Sequence, residues 1–276
     1  MRPGRAVHGP LLIALITGAA LVVGCAGDPD AVSTPADATL DVRIVSTRPH
    51  DPSAFTQGLE VDGNRLLEGT GRSGRSRVTA SDLATGAPLA SVDLPAPLFG
   101  EGLTVAGDTL WQLTWQDGVA VARDPDTLQE VRRVSYEGEG WGLCFDGSSL
   151  VMSDGTDTLT FRDPVTFEPT GSVRVRDDGQ AVEEINELEC TPDGVYANIW
   201  KTDEIVRIDP ASGTVTAVID ASPLRAALED SGADTSGIDV LNGIAAVPDT
   251  DRFLVTGKLW PTLFEVEFVP RDADAP

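Results

Sequence analysis

Five residues with polar or aromatic side chains recur along the chain at similar intervals, and together they could transfer a proton and bind a small polar ligand. They are Gln57, Glu101, Trp141, Asn186 and Asn242, which are separated by 44, 40, 45 and 56 residues. A carboxylate can act as general base and as general acid, amides orient a polar substrate, and an indole supplies a flat apolar wall with one hydrogen-bond donor. Such chemistry requires a fold that brings these distant positions into one pocket.

Each of the five residues opens a copy of the same pattern, in which an apolar strand is followed by a turn and a second strand. The copies are "QGLEVDGNRLLEGTG", "EGLTVAGDTLWQLTW", "WGLCFDGSSLVMSDG", "NELECTPDGVYANIW" and "NGIAAVPDTDRFLVTGK". A further pair of strands follows most of them, as in "VRIDPASGTVTAVI", and one helical segment, "SPLRAALEDSG", lies in the longest interval. Four strands per repeat of about 45 residues are typical of a β-propeller blade. The sequence therefore predicts an all-β fold, a five-bladed β-propeller.

An N-terminal strand is expected to close the ring, because an open propeller would expose an unpaired sheet edge. The last repeat ends after "TLFEVEFV", and "LDVRIVST" is predicted to supply its missing outermost strand. The first strand of each blade lines the central channel, so the five repeat-opening residues should surround one axis. Trp115 and Trp200 follow fourteen residues later in the second and fourth repeats, and Lys258 aligns with them in the fifth. We expect these three side chains to form a second ring near the same mouth.

The N-terminus has the features of an export signal. Arg2 and Arg5 precede "PLLIALITGAALVV", an apolar run too short for an ordinary membrane span. The following "VVGC" resembles a bacterial lipobox, which would make Cys25 the lipidated first residue of the mature protein; a plain signal peptide is the alternative. We therefore expect an exported lipoprotein, anchored to the outer face of the bacterial cell membrane by acyl chains. The predicted organisation is a signal peptide over residues 1–24, a flexible tether over 25–39, a propeller domain over 40–270 and a tail over 271–276.

Composition and charge argue against several classes of function. The chain carries 20 Lys and Arg against 44 Asp and Glu, a net charge of -24, whereas nucleic-acid binding needs a basic surface. Its two histidines, His8 and His50, are too few to build a transition-metal site. A redox or phosphoryl-transfer role has no support either, since no C-x-x-C motif and no glycine-rich phosphate loop before a helix is found.

Two cysteines besides Cys25 fit no metal-ligand spacing. In the register of the repeats, Cys144 and Cys190 fall on opposite faces of successive blades, and these are the faces that pack together. An exported protein can form a disulfide there, and two buried free thiols are equally compatible with the pattern.

The motifs that carry these residues resemble the plant-type and bacterial glutaminyl-peptide cyclotransferases over roughly residues 49–268. In order they are "HDPSAFTQGL", "FGEGLT", "QLTW", "EGWGL", "MSDGT", "INELE", "ANIW", "LNGIA" and "GKLWPTLFEVEF". The resemblance implies a five-bladed propeller that is unrelated in fold to the zinc-dependent animal enzymes. It also implies a reaction in which an N-terminal glutamine cyclises to pyroglutamate with release of ammonia.

The resemblance also implies a set of site residues. Glu101 is expected to be the acid and base, and Lys258 a second catalytic residue that would stabilise an oxyanion. Desolvation by indoles would raise the pKa of Glu101 and Lys258 would lower it, and the sequence leaves this balance open. The substrate-binding residues that it implies are Gln57, Trp115, Trp141, Asn186 and Trp200. Asn242, which opens the fifth repeat, and the neighbouring Phe55 and Phe99 are expected to bind substrate beside them.

The implied partners are peptides or proteins with an N-terminal glutamine, bound by a monomer. No cofactor and no catalytic metal is expected, while a structural calcium stays open. In the first repeat "GTGRSGRSRV" departs from the sequence that the family usually has there, and this affects selectivity beyond the first substrate residue more than the chemistry.

Two alternatives to this function follow from the same fold. One is a lipid-anchored propeller that binds a peptide or partner across its mouth without catalysis, because fold alone does not decide function. The other is a lactonase-type or other calcium-dependent hydrolase. It would need several carboxylates converging on one channel metal, and among the repeat-opening residues only Glu101 offers a carboxylate.

Overall fold

The protein is described by a computed structural model over residues 38–271. Apart from one helix, the regular secondary structure of these residues consists of strands, so the predicted all-β class is confirmed. The predicted signal peptide and Cys25 lie outside the described residues, as does most of the predicted C-terminal tail. Within residues 38–271, no helix has both the length and the apolar character that a membrane span requires.

The chain begins with a long strand and then forms three antiparallel sheets of four strands each. The first strand is β1 (Ala38–Pro49). The first sheet contains β2 (Thr56–Asp62), β3 (Arg65–Thr70), β4 (Arg77–Asp82) and β5 (Pro88–Asp93). The second contains β6 (Gly100–Ala106), β7 (Thr109–Thr114), β8 (Val119–Arg123) and β9 (Glu130–Ser135). The third contains β10 (Leu143–Phe145), β11 (Leu150–Met152), β12 (Thr158–Arg162) and β13 (Pro169–Arg174).

A small hairpin of β14 (Arg176–Asp177) and β15 (Gln180–Ala181) leads into an eight-stranded sheet. Its first half contains β16 (Ile185–Thr191), β17 (Gly194–Ile199), β18 (Glu204–Ile208) and β19 (Val215–Asp220). The predicted helix follows as α1 (Ser222–Asp230), with a proline in its first turn and Leu224 and Leu228 buried. The second half contains β20 (Leu241–Ala246), β21 (Arg252–Gly257), β22 (Thr262–Pro270) and β1.

The N-terminal strand β1 completes the last group of strands, as its sequence predicts. It pairs antiparallel with β22 from Leu40 to Pro49. A second pairing is not predicted by the sequence pattern: Ala38 to Asp41 pair in parallel with β19. Because β1 is longer than its pairing with β22 requires, its first residues bond to the neighbouring group and join the two halves into one sheet. The strand therefore begins two residues before the predicted domain boundary.

The first two strands of each group are mostly buried, and the outermost strand is the least buried. In β6, six of seven residues are buried, whereas in β13 five of six are exposed. A continuous run of buried residues is the mark of a strand covered on both faces. The first strands therefore lie at the centre of the molecule and the fourth strands at its periphery.

Apolar side chains from neighbouring sheets fill the space between them. Leu67 and Val78 of the first sheet pack with Leu103 and Leu110 of the second, and all four are fully buried. Each such leucine contributes roughly 1.5–3 kcal/mol relative to an exposed side chain. Similar clusters join each sheet to the next, so the sheets are held face to face by dispersion and by the hydrophobic effect.

The five first strands contact one another in a closed ring, in the order β2, β6, β10, β16, β20 and back to β2. The residue after the repeat-opening residue is glycine in four repeats, and in the first three of these, at Gly58, Gly102 and Gly142, the backbone of the next strand lies very close. A Cβ atom at Gly102 would lie 2.7 Å from the carbonyl oxygen of Trp141, and one at Gly142 would lie 2.1 Å from the carbonyl oxygen of Asn186. These distances are too short for any side chain, so the spacing of the strands depends on the missing Cβ atoms.

The fourth repeat has Glu187 at this position instead of glycine. Its buried carboxylate accepts hydrogen bonds from the backbone N–H groups of Leu59 on β2, at 3.2 Å, and Ile244 on β20, at 2.8 Å. Burial raises the pKa of Glu187 well above its usual value, and the two N–H donors oppose this shift. One side chain thus bonds three of the five central strands together.

The structure decides between the two states that the sequence left open for the remaining cysteines. Cys144 on β10 and Cys190 on β16 form a disulfide, with their Cα atoms 5.3 Å apart. The bond links the first strands of two adjacent groups, which are the faces predicted to pack together.

Replacing Gly142 by alanine should destabilise the protein by about 1–3 kcal/mol or more, because the new Cβ atom must push β10 and β16 apart. The free energy of unfolding in urea measures this change. Gly237→Ala is the matched control, since a Cβ atom there meets nothing within 4 Å and the backbone is not in the left-handed region. Equal stability of the two variants would contradict the close-approach argument.

Removing the disulfide should lower stability by about 4 kcal/mol, since it closes a loop of 46 residues and restricts the unfolded chain. The double variant Cys144→Ala with Cys190→Ala, compared with the oxidised parent by chemical denaturation, measures the loss. Mass spectrometry after alkylation without reduction should show neither cysteine modified. Alkylation of both in the folded, unreduced protein would show that the bond is absent.

Candidate active site

The starts of the first strands surround a cavity of about 230 Å³. Nine of the ten residues that the sequence places in catalysis or substrate binding line it, together with Asp239, which the sequence did not predict. The lining residues are Phe55, Gln57, Phe99, Glu101, Trp115, Trp141, Asn186, Trp200, Asp239 and Lys258. Side chains spread over about two hundred positions therefore meet in one place, as the repeat pattern predicts.

Glu101 is the buried carboxylate of the cavity, with only 5% of its surface exposed. The Nε2 atom of Gln57 donates a hydrogen bond to its Oε1 atom at 2.9 Å. Burial raises the pKa of Glu101 well above its usual value; Lys258 lowers this pKa and Glu139 raises it further. Desolvation therefore wins the balance that the sequence left open, and a carboxyl group whose pKa is raised in this way suits both uptake and release of a proton.

Asn242 is the one predicted substrate contact that does not line the cavity. It is fully buried behind Gln57, and its Nδ2 atom donates to the carbonyl oxygen of Thr56 at 3.0 Å. The same atom lies 3.5 Å from Oε1 of Gln57. Bonding to β2 draws the Asn242 side chain away from the cavity, so the placement predicted for it is corrected: it supports Gln57 from behind.

Lys258 brings an ammonium group into the cavity and is also 5% exposed. Burial lowers its pKa, while the charges of Glu101 and Asp239 raise it. Its Nζ atom lies 5.1 Å from the ring centroid of Phe55. The backbone of Lys258 bonds on both sides to the loop before β20, since its N–H donates to Val240 and its carbonyl oxygen accepts from Asp239.

Two groups of aromatic rings form the walls. The rings of Trp141 and Trp200 meet edge to face, with centroids 5.4 Å apart. Phe99 lies 5.7 Å from Trp115 and 6.3 Å from Phe55. Edge and tilted contacts of this kind are the preferred packing of aromatic pairs, so the walls are held by their own packing as well as by their strands. The chain's other two tryptophans, at positions 111 and 260, are fully buried outside the cavity.

Glu139 holds two of these walls in place and was not predicted from the sequence. Its Oε2 atom accepts from the indole N–H of Trp115 at 2.7 Å and of Trp141 at 3.0 Å, and its Oε1 atom accepts from Gln116 at 2.8 Å. Burial favours a higher pKa, but the three donors outweigh it and the pKa of Glu139 is lowered. The motif "EGWGL" contains this residue two positions before Trp141, which was the available signal.

Asp239 is the second carboxylate at the cavity and was also missed. It lies in the loop before β20, where its Oδ1 atom accepts from the N–H of Val240 at 2.7 Å and its carbonyl oxygen accepts from the indole of Trp260 at 3.0 Å. This loop belongs to the longest interval between repeats and has no counterpart in the others. Alignment of the repeats therefore gives no signal for it.

Three polar groups of the cavity have no hydrogen-bond partner among residues 38–271. They are the side-chain amide of Asn186, which is 3% exposed, the ammonium group of Lys258 and the indole N–H of Trp200. Buried polar groups are normally paired, because an unpaired one costs about 1–3 kcal/mol. Because they face a cavity, these three groups are available to a polar ligand.

The described part of the chain contains no group of three His, Cys, Asp or Glu side chains that could hold a metal ion. The calcium-dependent hydrolase considered as an alternative would need several such ligands in one place. The cavity itself brings together two carboxylates, Glu101 and Asp239.

Comparison with known proteins gives consistent results. Residues 17–268 match the glutamine cyclotransferase family. The chain is 42% identical over 229 residues to a glutaminyl-peptide cyclotransferase of Arabidopsis thaliana, a match that covers 82% of this chain and 71% of the plant protein. The crystal structure of Myxococcus xanthus glutaminyl cyclase superposes with a TM-score of 0.79 at 41% identity, covering 86% of this chain and all of that one.

Two substitutions should move the pKa of Glu101 in opposite directions. Glu139→Gln removes a negative charge that disfavours the carboxylate, so the pKa should fall. Lys258→Met removes a positive charge that favours the carboxylate, so the pKa should rise. Titration of ¹³C-labelled glutamate by NMR, with the signal assigned through Glu101→Gln, measures both shifts. Shifts of the same sign would show that the cavity's charges do not act on Glu101 as its surroundings indicate.

Proposed function

The chain belongs to the glutamine cyclotransferase family and its activity is that of a glutaminyl-peptide cyclotransferase, and from this premise we propose that Glu101 transfers the proton during cyclisation. The observation that carries the proposal is a buried carboxyl group of raised pKa, in an aromatic cavity that also holds an unpaired amide and an unpaired ammonium group. The reaction as proposed needs no metal and no cofactor.

The reaction joins two ends of one residue. The free α-amine of an N-terminal glutamine attacks its own γ-carbonyl carbon, a C–N bond forms, and the bond from that carbon to the amide nitrogen breaks to release ammonia. The amine loses one proton and the leaving nitrogen gains one. A single carboxylate can take up the first proton and deliver it as the second, so Glu101 serves as base and then as acid.

Because the nucleophile and the carbonyl belong to the same residue, positioning contributes much of the rate. The cavity supports this through its walls: Trp141 and Trp200 on one side and Phe99 and Trp115 on the other can hold the folded side chain between flat surfaces. These walls also exclude water from Glu101, and that exclusion maintains its raised pKa.

Lys258 and Asn186 are proposed to contact the substrate's γ-carboxamide. The Lys258 ammonium group can stabilise the negative oxygen that develops on the γ-carbon, and such preorganised donors act strongly where water is excluded. Asn186 has a free amide that can donate to or accept from the carboxamide. Gln57 already donates to Glu101, which supports a role in orienting that carboxyl group rather than in binding the oxyanion.

We also propose that the five groups of strands are the blades of a five-bladed β-propeller. The support is the closed ring of contacts among β2, β6, β10, β16 and β20, and the completion of the last group by β1. The pairing of β1 with β19 would make two adjacent blades share one sheet.

Export and anchoring are proposed from the sequence alone. The run "PLLIALITGAALVV" followed by "VVGC" supports lipidation at Cys25 and a position on the outer face of a bacterial cell membrane. Residues 25–37 would then tether a monomeric catalytic domain, whose substrates are exported peptides or proteins with an N-terminal glutamine.

Replacing Glu101 by glutamine should lower the rate of ammonia release from a Gln-Ala peptide by at least about 100- to 10,000-fold, because the amide cannot carry the proton. The fold should be unchanged, since a glutamine oxygen can still accept the hydrogen bond from Gln57. A coupled ammonia assay and circular dichroism measure the two effects.

Glu60→Gln is the matched control for this experiment. Burial also raises the pKa of Glu60, to about 7, but its carboxylate bonds to the hydroxyl of Thr104 and does not line the cavity. This control variant should keep its activity. Full activity in Glu101→Gln, or equal losses in both variants, would overturn the assignment of Glu101.

A further inference from the structure

Most cations of this acidic chain are paired within the fold. Eighteen of its twenty Lys and Arg residues lie in residues 38–271. Fourteen of these donate a side-chain hydrogen bond or form an ion pair there, for example Arg77 with Asp51, Arg225 with Asp203 and the fully buried Arg123 with Gln112. The charged groups of the other four have no such partner among the described residues, and these are Arg72, Arg75, Lys201 and Lys258.

Three of the four unpaired cations lie at one cavity. Lys258 lines it. The Arg72 guanidinium lies 4.5 Å from the ring centroid of Phe55, and the Lys201 ammonium lies 3.6 Å from that of Trp200; both rings are cavity walls. Arg75 is exposed three residues after Arg72 in the same loop. A chain with more than twice as many acids as bases therefore has three of the four unpaired cations of its described residues at the mouth of its candidate active site.

The loop that carries Arg72 is fixed in a strained conformation. Arg72 has a φ of 87°, in the region that favours glycine, and such a residue costs of order 1 kcal/mol or more. Its carbonyl oxygen accepts from the N–H of Arg75 and from the hydroxyl of Ser76, both at 2.9 Å, and the adjacent Gly71 donates to the carbonyl oxygen of Phe55 at 2.8 Å. These bonds fix the backbone from which the Arg72 side chain extends over the Phe55 ring.

The carboxylates that line the cavity or bond to its walls already have hydrogen-bond partners within the fold. Glu139 accepts three hydrogen bonds from Trp115, Trp141 and Gln116, and Glu101 is buried beside Gln57. Asp239 bonds to its own loop and acts on Lys258. The cations at the rim therefore have no competing internal partner.

We propose that Arg72 and Lys201 form a subsite that binds the carboxylate of an acidic residue at the second or third position of the substrate peptide. The inference rests on the proposed function: when the N-terminal glutamine fills the cavity, the following residues must leave across its rim, where these cations lie. Guanidinium groups bind carboxylates well, because their donors match the two oxygens. Preferred substrates should accordingly begin with glutamine followed by Asp or Glu.

The test compares peptides that differ in one residue and end in an amide, so that the C-terminus adds no carboxylate. They are Gln-Glu-Ala-Ala, Gln-Ala-Glu-Ala, Gln-Ala-Ala-Ala and Gln-Lys-Ala-Ala. At low salt the better acidic peptide should exceed Gln-Ala-Ala-Ala in kcat/KM by about fivefold, which is the range of a partly exposed ion pair, and the lysine peptide should be the poorest. High salt should reduce the ratio, since such pairs are screened.

The variants Arg72→Gln and Lys201→Gln should each lower the ratio of the acidic to the lysine peptide. Arg132→Gln is the matched control: Arg132 also lies over an aromatic ring, that of Trp111, but outside the cavity, and its removal should leave the ratio unchanged. Two variants on different loops keep the test valid if one of them folds poorly.

The outcomes separate this inference from the function on which it rests. Cyclisation of all peptides at equal kcat/KM, or a preference that both rim variants retain, would overturn the acidic subsite and leave the proposed function standing. Cyclisation of none of them would overturn both.

Discussion

The close approach of the five central strands is the constraint on which the rest of the structure depends. At the residue after the repeat-opening residue of the first three repeats, neighbouring backbones come so near that a Cβ atom at Gly102 or Gly142 would overlap the next strand. The fourth repeat has Glu187 at this position. Its carboxylate accepts hydrogen bonds from the backbone of β2 and β20 and so connects the strands without a close backbone contact. Because the repeat-opening side chains directly precede these positions, the tight ring forces four of them, all but Asn242, onto the cavity wall.

That geometry also fixes the electrostatics. Glu101 and Lys258 are buried because aromatic rings from neighbouring groups cover them, and burial moves the pKa of each toward neutrality from opposite sides. His50 connects the turn after Lys258 to the first sheet. One of its ring nitrogens lies 2.7 Å from the carbonyl oxygen of Trp260, two residues after Lys258, and the other lies 3.1 Å from the carboxylate of Glu68 on β3. Burial lowers the pKa of His50, but the opposing contributions, led by Glu68, prevail and raise it, which favours the imidazolium that can donate to both.

The parts of this fold and site that repeat could be predicted from the sequence, and the parts that do not repeat could not. Glu101, Trp115 and Lys258 were found because aligned positions of a closed ring must be neighbours. Asp239 was missed because its loop occurs once, and the pairing of β1 with β19 because it depends on the length of a single strand. Asn242 shows the limit of alignment: it occupies the right position, but a hydrogen bond to Thr56 draws its side chain away from the cavity.

The net charge of -24 would at first sight oppose an acidic substrate, and the range of electrostatic forces decides whether it does. At physiological ionic strength the Debye length is about 8 Å, so carboxylates elsewhere on the surface are largely screened from a peptide at the cavity. The cations at the rim act over shorter distances, since Arg72 and Lys201 lie within 4.5 Å of the centroids of rings that form the cavity walls. The charges nearest the cavity therefore matter more to a bound peptide than the total charge of the chain, and a net charge of -24 does not by itself oppose the binding of an acidic residue at the rim.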